Sequence, residues 1–272
     1  MSWFEAIVLG IIQGLTEFLP ISSSAHLLIL SQIFGWDDPG AAFTAVTQIG
    51  TESAVLIYFR HDIARIISTW FRSLYTPELR GQIDARMGWY VIIGTLPIAI
   101  IGFTFSDQIE TAARNLYLVS VVLIVFGIIL GIADRVGAKT RELETLSIRS
   151  GLLFGLGQAL ALIPGVSRSG ATITTGLFMG FTREAATRYA FLLAIPAVMA
   201  SGLYQATKIG EEANVPWGPT ILATVIAFVI GYLVIAWLIK YVATNSYLPF
   251  VIYRVALGSL VLVLLGTGVL TA

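Results

Sequence analysis

The stretch GLTEFLPISSSAHLLIL, residues 14–30, places a glutamate, a proline, three consecutive serines and a histidine (Glu17, Pro20, Ser22, Ser23, Ser24, His26) inside an apolar run. What that interruption costs depends on the chain around it. Of 272 residues, 57% are hydrophobic and only 12% charged, and the mean hydropathy is +0.86. A soluble domain of this size needs far more polar surface, so the composition points to an all-α integral membrane protein. The formal net charge of zero argues against a nucleic-acid partner, and the absence of cysteine excludes disulfides and thiolate metal sites. The first residues include Glu5 and lack a basic region followed by a small-residue cleavage site, so a cleaved signal peptide is not expected there.

A membrane helix needs about 20 mostly apolar residues. Six stretches qualify: 41–59, 88–106, 116–134, 185–206, 218–240 and 249–270. Two further apolar stretches, 3–34 and 150–181, are each broken near the middle by proline and serines. An unbroken helix from Trp3 to Leu19 would be only about 25 Å long, short of a span. Arginines at 60, 65, 72, 80 and 86 fill the 60–88 connection; Arg135, Lys139, Arg141 and Arg149 fill 135–149, and Lys240 precedes the 241–248 turn. The 107–115 and 207–217 connections carry Arg114 and Lys208 beside Asp107, Glu110, Glu211 and Glu212. The positive-inside rule makes the first group cytoplasmic and the second external. Counting crossings, 3–34 must then enter and leave from outside, and 150–181 from inside. The expected fold is therefore a single membrane domain, 1–272, with six transmembrane helices and two opposed re-entrant helical hairpins. It is an inverted-topology repeat, about 1–134 and 150–272, joined by a cytoplasmic loop.

The two breaks resemble each other. FLPISSSA (18–25) aligns with LIPGVSRSG (162–170) with one inserted glycine, so Pro20 matches Pro164 and Ser22 and Ser24 match Ser167 and Ser169. Broken helices in inverted repeats commonly put a site where the breaks face each other. Helices restarting at about Ser24 and Ser169 would offer free N–H groups and positive dipole ends to an anion such as phosphate. In the second break, Gly165 and Gly170 allow close backbone approach, Ser167, Ser169 and Thr172 offer hydroxyls, and Arg168 offers a two-pronged phosphate contact. Gln13 and Glu17, four apart, share a helix face and could bind a hard divalent cation. Ser23 and His26, three apart, could place a neutral imidazole beside a hydroxyl, the pairing that activates a nucleophile. Gln48 and Glu52, again four apart, are candidates for the same cavity. Arg254 reads as a side chain snorkelling toward the cytoplasmic face, and His61 as a solvated loop residue.

At these residues the chain resembles the undecaprenyl-diphosphate phosphatase (bacitracin-resistance) family. QGLTEFLPISSSAH (13–26) is similar to the family's Glu/Gln-x-x-x-Glu motif and following Ser/His segment, and PGVSRSGAT (164–172) to its Pro-Gly-x-Ser-Arg-Ser-x-x-Thr motif. QIGT (48–51), FLLAIP (191–196) and PFVIYR (249–254) extend the likeness nearly end to end. The resemblance implies removal of the terminal phosphate of undecaprenyl diphosphate, which recycles the carrier lipid for peptidoglycan synthesis and confers bacitracin resistance. It implies a divalent cation, Mg2+ or Ca2+, and a site opening to the external side of the bacterial cytoplasmic membrane. It carries Gln13, Glu17, Ser23, His26 and Arg168 over as functional residues and is compatible with a homodimer; the two breaks themselves would set Ser22, Ser24, Ser167, Arg168, Ser169, Gly170 and Thr172 around the phosphate. Glutamine at position 13 leaves a single carboxylate in the first motif, which weakens a two-carboxylate metal site. Either Ser23 attacks phosphorus with His26 as base, or His26 activates water directly.

A carrier of an anion or phosphorylated lipid would use the same arginine and helix ends. It has no need of a serine–histidine pair beside a glutamate, and that pair favours the hydrolase.

Overall fold

The computed structural model describes residues 1–37, 40–105, 115–208 and 216–271, with the backbone alone at 41–42 and 203–208. Among the described residues there are eleven α-helices: α1 (Trp3–Thr16), α2 (Ser23–Phe34), α3 (Gly40–Tyr58), α4 (Arg60–Tyr75), α5 (Ile83–Thr104), α6 (Leu116–Val136), α7 (Ile148–Ala159), α8 (Arg168–Phe178), α9 (Arg183–Lys208), α10 (Trp217–Thr244) and α11 (Leu248–Gly266). Five of them, α5, α6, α9, α10 and α11, contain stretches long and apolar enough to cross a membrane, as a multi-pass membrane protein requires. The sixth expected span is the 19-residue helix α3, whose Thr44, Thr47, Gln48, Thr51, Glu52 and Ser53 make it too polar for that group. The 60–88 connection is itself largely helical. His61, expected in a loop, lies on the exposed side of α4. The two connections expected outside, 107–115 and 207–217, fall beyond the described residues except at their ends.

Both interrupted segments fold as helix, break, helix. The first helix of each starts with a reciprocal cap: Ser2 with Glu5 on α1, and Ser147 with Ser150 on α7. At 14 and 12 residues, α1 and α7 reach only about 20 Å, too short to span. Both helices stop short of the proline: α1 ends at Thr16 before Pro20, and α7 at Ala159 before Pro164. The helices resume one residue earlier than the sequence suggests, with Ser22 and Ser167 as N-caps. These caps share an unusual backbone, φ 74° and ψ 98° at Ser22 against φ 73° and ψ 117° at Ser167.

Small residues let the helices approach closely, as is usual where lipid supplies no hydrophobic drive between helices. Gly10 and Gly14 of α1 lie against Ala223, Ala227 and Ile230 of α10, and Gly50 of α3 against Thr224 of α10. Gly94 of α5 lies against Gly151 of α7. The pairings recur between the halves: α1 and α3 pack on α10 as α7 and α9 pack on α5, while α6 pairs with α11 and α3 with α9. Phe18 in the first break is buried, its ring edge-on to Phe191 of α9 at 5.5 Å.

The expectation that Arg254 snorkels to the cytoplasmic face is corrected by the structure. The residue is 1% exposed in the middle of the bundle. Its Nε donates to the Leu123 carbonyl (3.1 Å), Nη1 to Pro20 (2.9 Å) and Val166 (3.0 Å), and Nη2 to Gly165 (3.0 Å). Non-helical backbone at membrane depth must find partners within the protein, and one guanidinium supplies them to both breaks. Gly127 of α6 leaves room for its stem, since a Cβ there would sit 3.0 Å from the Arg254 Cβ.

Two outcomes follow for thermal unfolding in detergent. Arg254→Met strands the three non-helical carbonyls of Pro20, Gly165 and Val166 and should lower stability by on the order of 3 kcal/mol. Gly10→Ala puts a Cβ 2.6 Å from the Ala223 carbonyl oxygen and should cost about 1–3 kcal/mol, the range of core overpacking.

Candidate active site

Four elements converge on one guanidinium. Glu17 caps the C-terminal end of α1, Ser23 and Arg168 are the first residues of α2 and α8, and Glu52 lies midway along α3. Arg168 Nη2 pairs with Glu17 Oε1 and, at 3.0 Å, with Glu52 Oε1. Glu17 Oε2 accepts from Gln13 Nε2 at 3.0 Å and from the Ser23 hydroxyl at 2.6 Å. A cation withdrawn from water needs such partners; here the partly buried guanidinium comes from the second half of the chain and both carboxylates from the first. Glu17, Glu52 and Gln13 are all buried.

The serines flanking this cluster follow one pattern. Ser22 Oγ lies 3.3 Å from Ser24 Oγ, and Ser167 Oγ lies 3.2 Å from Ser169 Oγ. Ser169 Oγ also donates across to the Leu19 carbonyl at 3.2 Å, a direct bond between the breaks. Ser167 accepts from Gly170 N–H at 3.2 Å, an ordinary N-cap contact, while Ser22 makes no such cap. The Thr172 hydroxyl is turned back onto the Arg168 carbonyl of its own helix at 2.8 Å. Apart from Thr172, Gln48 and His26, the sequence-selected groups are therefore gathered at the two helix starts or onto Glu17.

His26 departs from the expectation. Its Nδ1 lies 2.7 Å from the Ser22 carbonyl oxygen, and its Nε2 lies 2.7 Å from the Tyr253 hydroxyl of α11. The hydroxyl of Ser23 goes instead to Glu17. An imidazole beside Ser23 is thus not the arrangement seen, because both ring nitrogens are engaged elsewhere. Sequence reasoning missed Tyr253, which sits in an apolar run with nothing local to mark it. It left Glu52 open, although its four-residue spacing from Gln48 was the usable signal.

A divalent cation can be tested against the donors present. Gln13 Oε1 and Glu52 Oε2 are buried without a hydrogen-bond partner, and an orphaned buried oxygen is costly unless something binds it. Together with Glu17 they make an all-oxygen set suited to Mg2+ or Ca2+. Among the described residues no group of three or more His, Cys, Asp or Glu gathers, so the set is two carboxylates and an amide. A second carboxylate, which position 13 lacks, would be supplied by Glu52 of α3.

Comparison with known proteins places the chain in a family. The family model described as Bacitracin resistance protein BacA matches residues 6–260. The chain is 61% identical over 271 residues to the undecaprenyl-diphosphatase of Thermobifida fusca, covering 100% of this chain and 93% of that one. It is 58% identical over 283 residues to undecaprenyl-diphosphatase 2 of Streptomyces avermitilis, covering 100% and 97%. Identity to the undecaprenyl-diphosphatase of a Nocardioides species is also 58%, with both chains covered completely. With the match running through both breaks and over nearly the whole length, the chain belongs to the bacitracin resistance protein BacA family.

Proposed function

We propose that the chain is an undecaprenyl-diphosphate phosphatase, a membrane phosphohydrolase that removes the terminal phosphate and returns the carrier lipid to peptidoglycan synthesis. Full-length identity to relatives of that name supports the reading. The observation that carries the chemistry is the convergence of Ser23, Glu17, Arg168 and Glu52 at two facing helix starts.

In the proposed reaction, Arg168 leaves its carboxylates in part to take phosphate oxygens, with the N–H groups at the starts of α2 and α8 and the Ser22, Ser24, Ser167 and Ser169 hydroxyls around them. Ser23 Oγ attacks the terminal phosphorus. The new O–P bond forms as the bridging P–O bond breaks, and undecaprenyl phosphate leaves. The serine proton passes to Glu17 Oε2, which already accepts its hydrogen bond at 2.6 Å. This geometry favours Glu17 over His26 as the first proton acceptor. Water then attacks the phosphoserine, releasing orthophosphate and restoring Ser23. Gln13, Glu17 and Glu52 would hold a divalent cation, which when bound supplies positive charge for the phosphate oxygens.

The finer architecture belongs to the same proposal. Reciprocal pairing of α1 with α10 and α7 with α5, of α3 with α10 and α9 with α5, and the matched backbone at Ser22 and Ser167 support an inverted repeat. In it α3 is the sixth span and the broken segments are opposed re-entrant hairpins. The basic residues near 60–88 and 135–149 support a cytoplasmic location for that end, which puts the mouth of the first hairpin on the external face of the cytoplasmic membrane.

Purified protein in detergent should release orthophosphate from undecaprenyl diphosphate. Arg168→Ala and Ser23→Ala should each lower kcat by at least about 100-fold. Binding of the lipid with no phosphate released under any divalent cation would overturn the hydrolase and favour a carrier. Chelation with EDTA should abolish release and added Mg2+ or Ca2+ restore it. Glu52→Gln should raise the cation concentration needed for half-maximal rate by at least about tenfold.

A further inference from the structure

The Ser22 carbonyl can only accept a hydrogen bond, so the nitrogen 2.7 Å from it, His26 Nδ1, carries the proton. In the neutral imidazole Nε2 is then an acceptor, and what it faces at 2.7 Å is the Tyr253 hydroxyl, which donates to it. A directed chain results, from the Tyr253 O–H to His26 Nε2 and from His26 Nδ1–H to the Ser22 carbonyl. It ends on a backbone that needs holding. Ser22 sits at φ 74° without being glycine, a conformation that persists only where surrounding groups over-determine it. Its counterpart Ser167 is fixed by its own side chain on Gly170 N–H, and the preceding carbonyls of Gly165 and Val166 by Arg254. Ser22 has no side-chain cap of its own.

We propose that Tyr253 is a positioning residue for this reaction. Through His26 it holds the Ser22 backbone, and so aims the next residue, Ser23, at the terminal phosphorus. His26 in this account acts as a bracket between α11 and the first break, with its proton held on Nδ1, and takes no proton from Ser23. The two rings also lie nearly parallel, 6° between planes and 5.5 Å between centroids, so Tyr253 touches His26 through its ring as well as its hydroxyl. The same turn of α11 thereby serves both breaks, Arg254 directly and Tyr253 through His26. The inference rests on the phosphatase reading and deepens it.

The test uses Tyr253→Phe, His26→Asn and His26→Ala in the full-length protein, with two readouts. Steady-state phosphate release from undecaprenyl diphosphate should show Tyr253→Phe lowering kcat about threefold to tenfold, the worth of one hydrogen bond, with KM within about twofold. Asparagine at 26 can still donate from its amide nitrogen to the Ser22 carbonyl, so His26→Asn should keep at least about a tenth of wild-type kcat, with His26→Ala at least about tenfold lower again. The second readout is 15N NMR of histidine-labelled protein, where the chain's 2 histidines give two rings, and His61→Asn assigns them. Wild-type His26 should show a protonated Nδ1 and a hydrogen-bonded Nε2, and in Tyr253→Phe the Nε2 signal alone should move by several ppm. Wild-type kcat in Tyr253→Phe, an unmoved Nε2 signal, or His26→Asn as inactive as His26→Ala would each overturn the proposal. If wild-type protein releases no phosphate, the phosphatase reading fails separately, while the spectrum still reports whether Tyr253 holds His26.

Discussion

A guanidinium that pairs with no carboxylate among the described residues holds the centre of this protein together. Arg254 gives its hydrogen bonds to Leu123, Pro20, Gly165 and Val166, three of the four in the interrupted segments. Irregular backbone is expensive in a bilayer because no water is there to satisfy it. Delivering donors from a third helix, α11, lets two breaks exist side by side where each alone would leave carbonyls unpaired. The cost of burying the charge is met by these carbonyl dipoles and by the close fit of Gly127.

Once the breaks are fixed, their helix starts and their charged residues meet. Arg168 faces Glu17 and Glu52, two carboxylates against one guanidinium, a cluster left one positive charge short of neutrality in formal terms. A divalent cation would reverse that sign and suit a diphosphate. The same carboxylate, Glu17, accepts the Ser23 hydroxyl, so the group that balances Arg168 is also placed to take a proton.

Much of this was legible in the sequence. The interruptions at Pro20 and Pro164, and the serines after them, marked both breaks because polar groups in apolar runs demand a reason. Five expected spans matched helices apolar enough to cross; the sixth, 41–59, matched α3, whose threonines, Gln48 and Glu52 lower its hydropathy. Glu52 and Tyr253 were harder to read because their partners lie 116 and 227 residues away. Helical periodicity carries no information about such pairs. Arg254 was misread for a related reason. A lone arginine a turn or two inside a span looks able to reach the interface, and only the carbonyls of the distant breaks show why it stays buried. Likewise, the Ser23–His26 spacing correctly put both on one short helix, but could not reveal that the imidazole turns back to Ser22 and out to α11.

The central claim is that the two breaks form one charge-matched site, and the Glu17–Arg168 pair tests it most directly. Thermal or denaturant unfolding of Glu17→Gln, Arg168→Gln and the double variant in detergent gives their coupling energy without any assumption about substrate. The account predicts strong non-additivity, with the double variant more stable than the summed single losses by at least about 1 kcal/mol, since either single change leaves a buried charge short of its partner. Losses that add to within about 0.3–0.5 kcal/mol would mean the residues do not share an environment, and would contradict a site built from both halves.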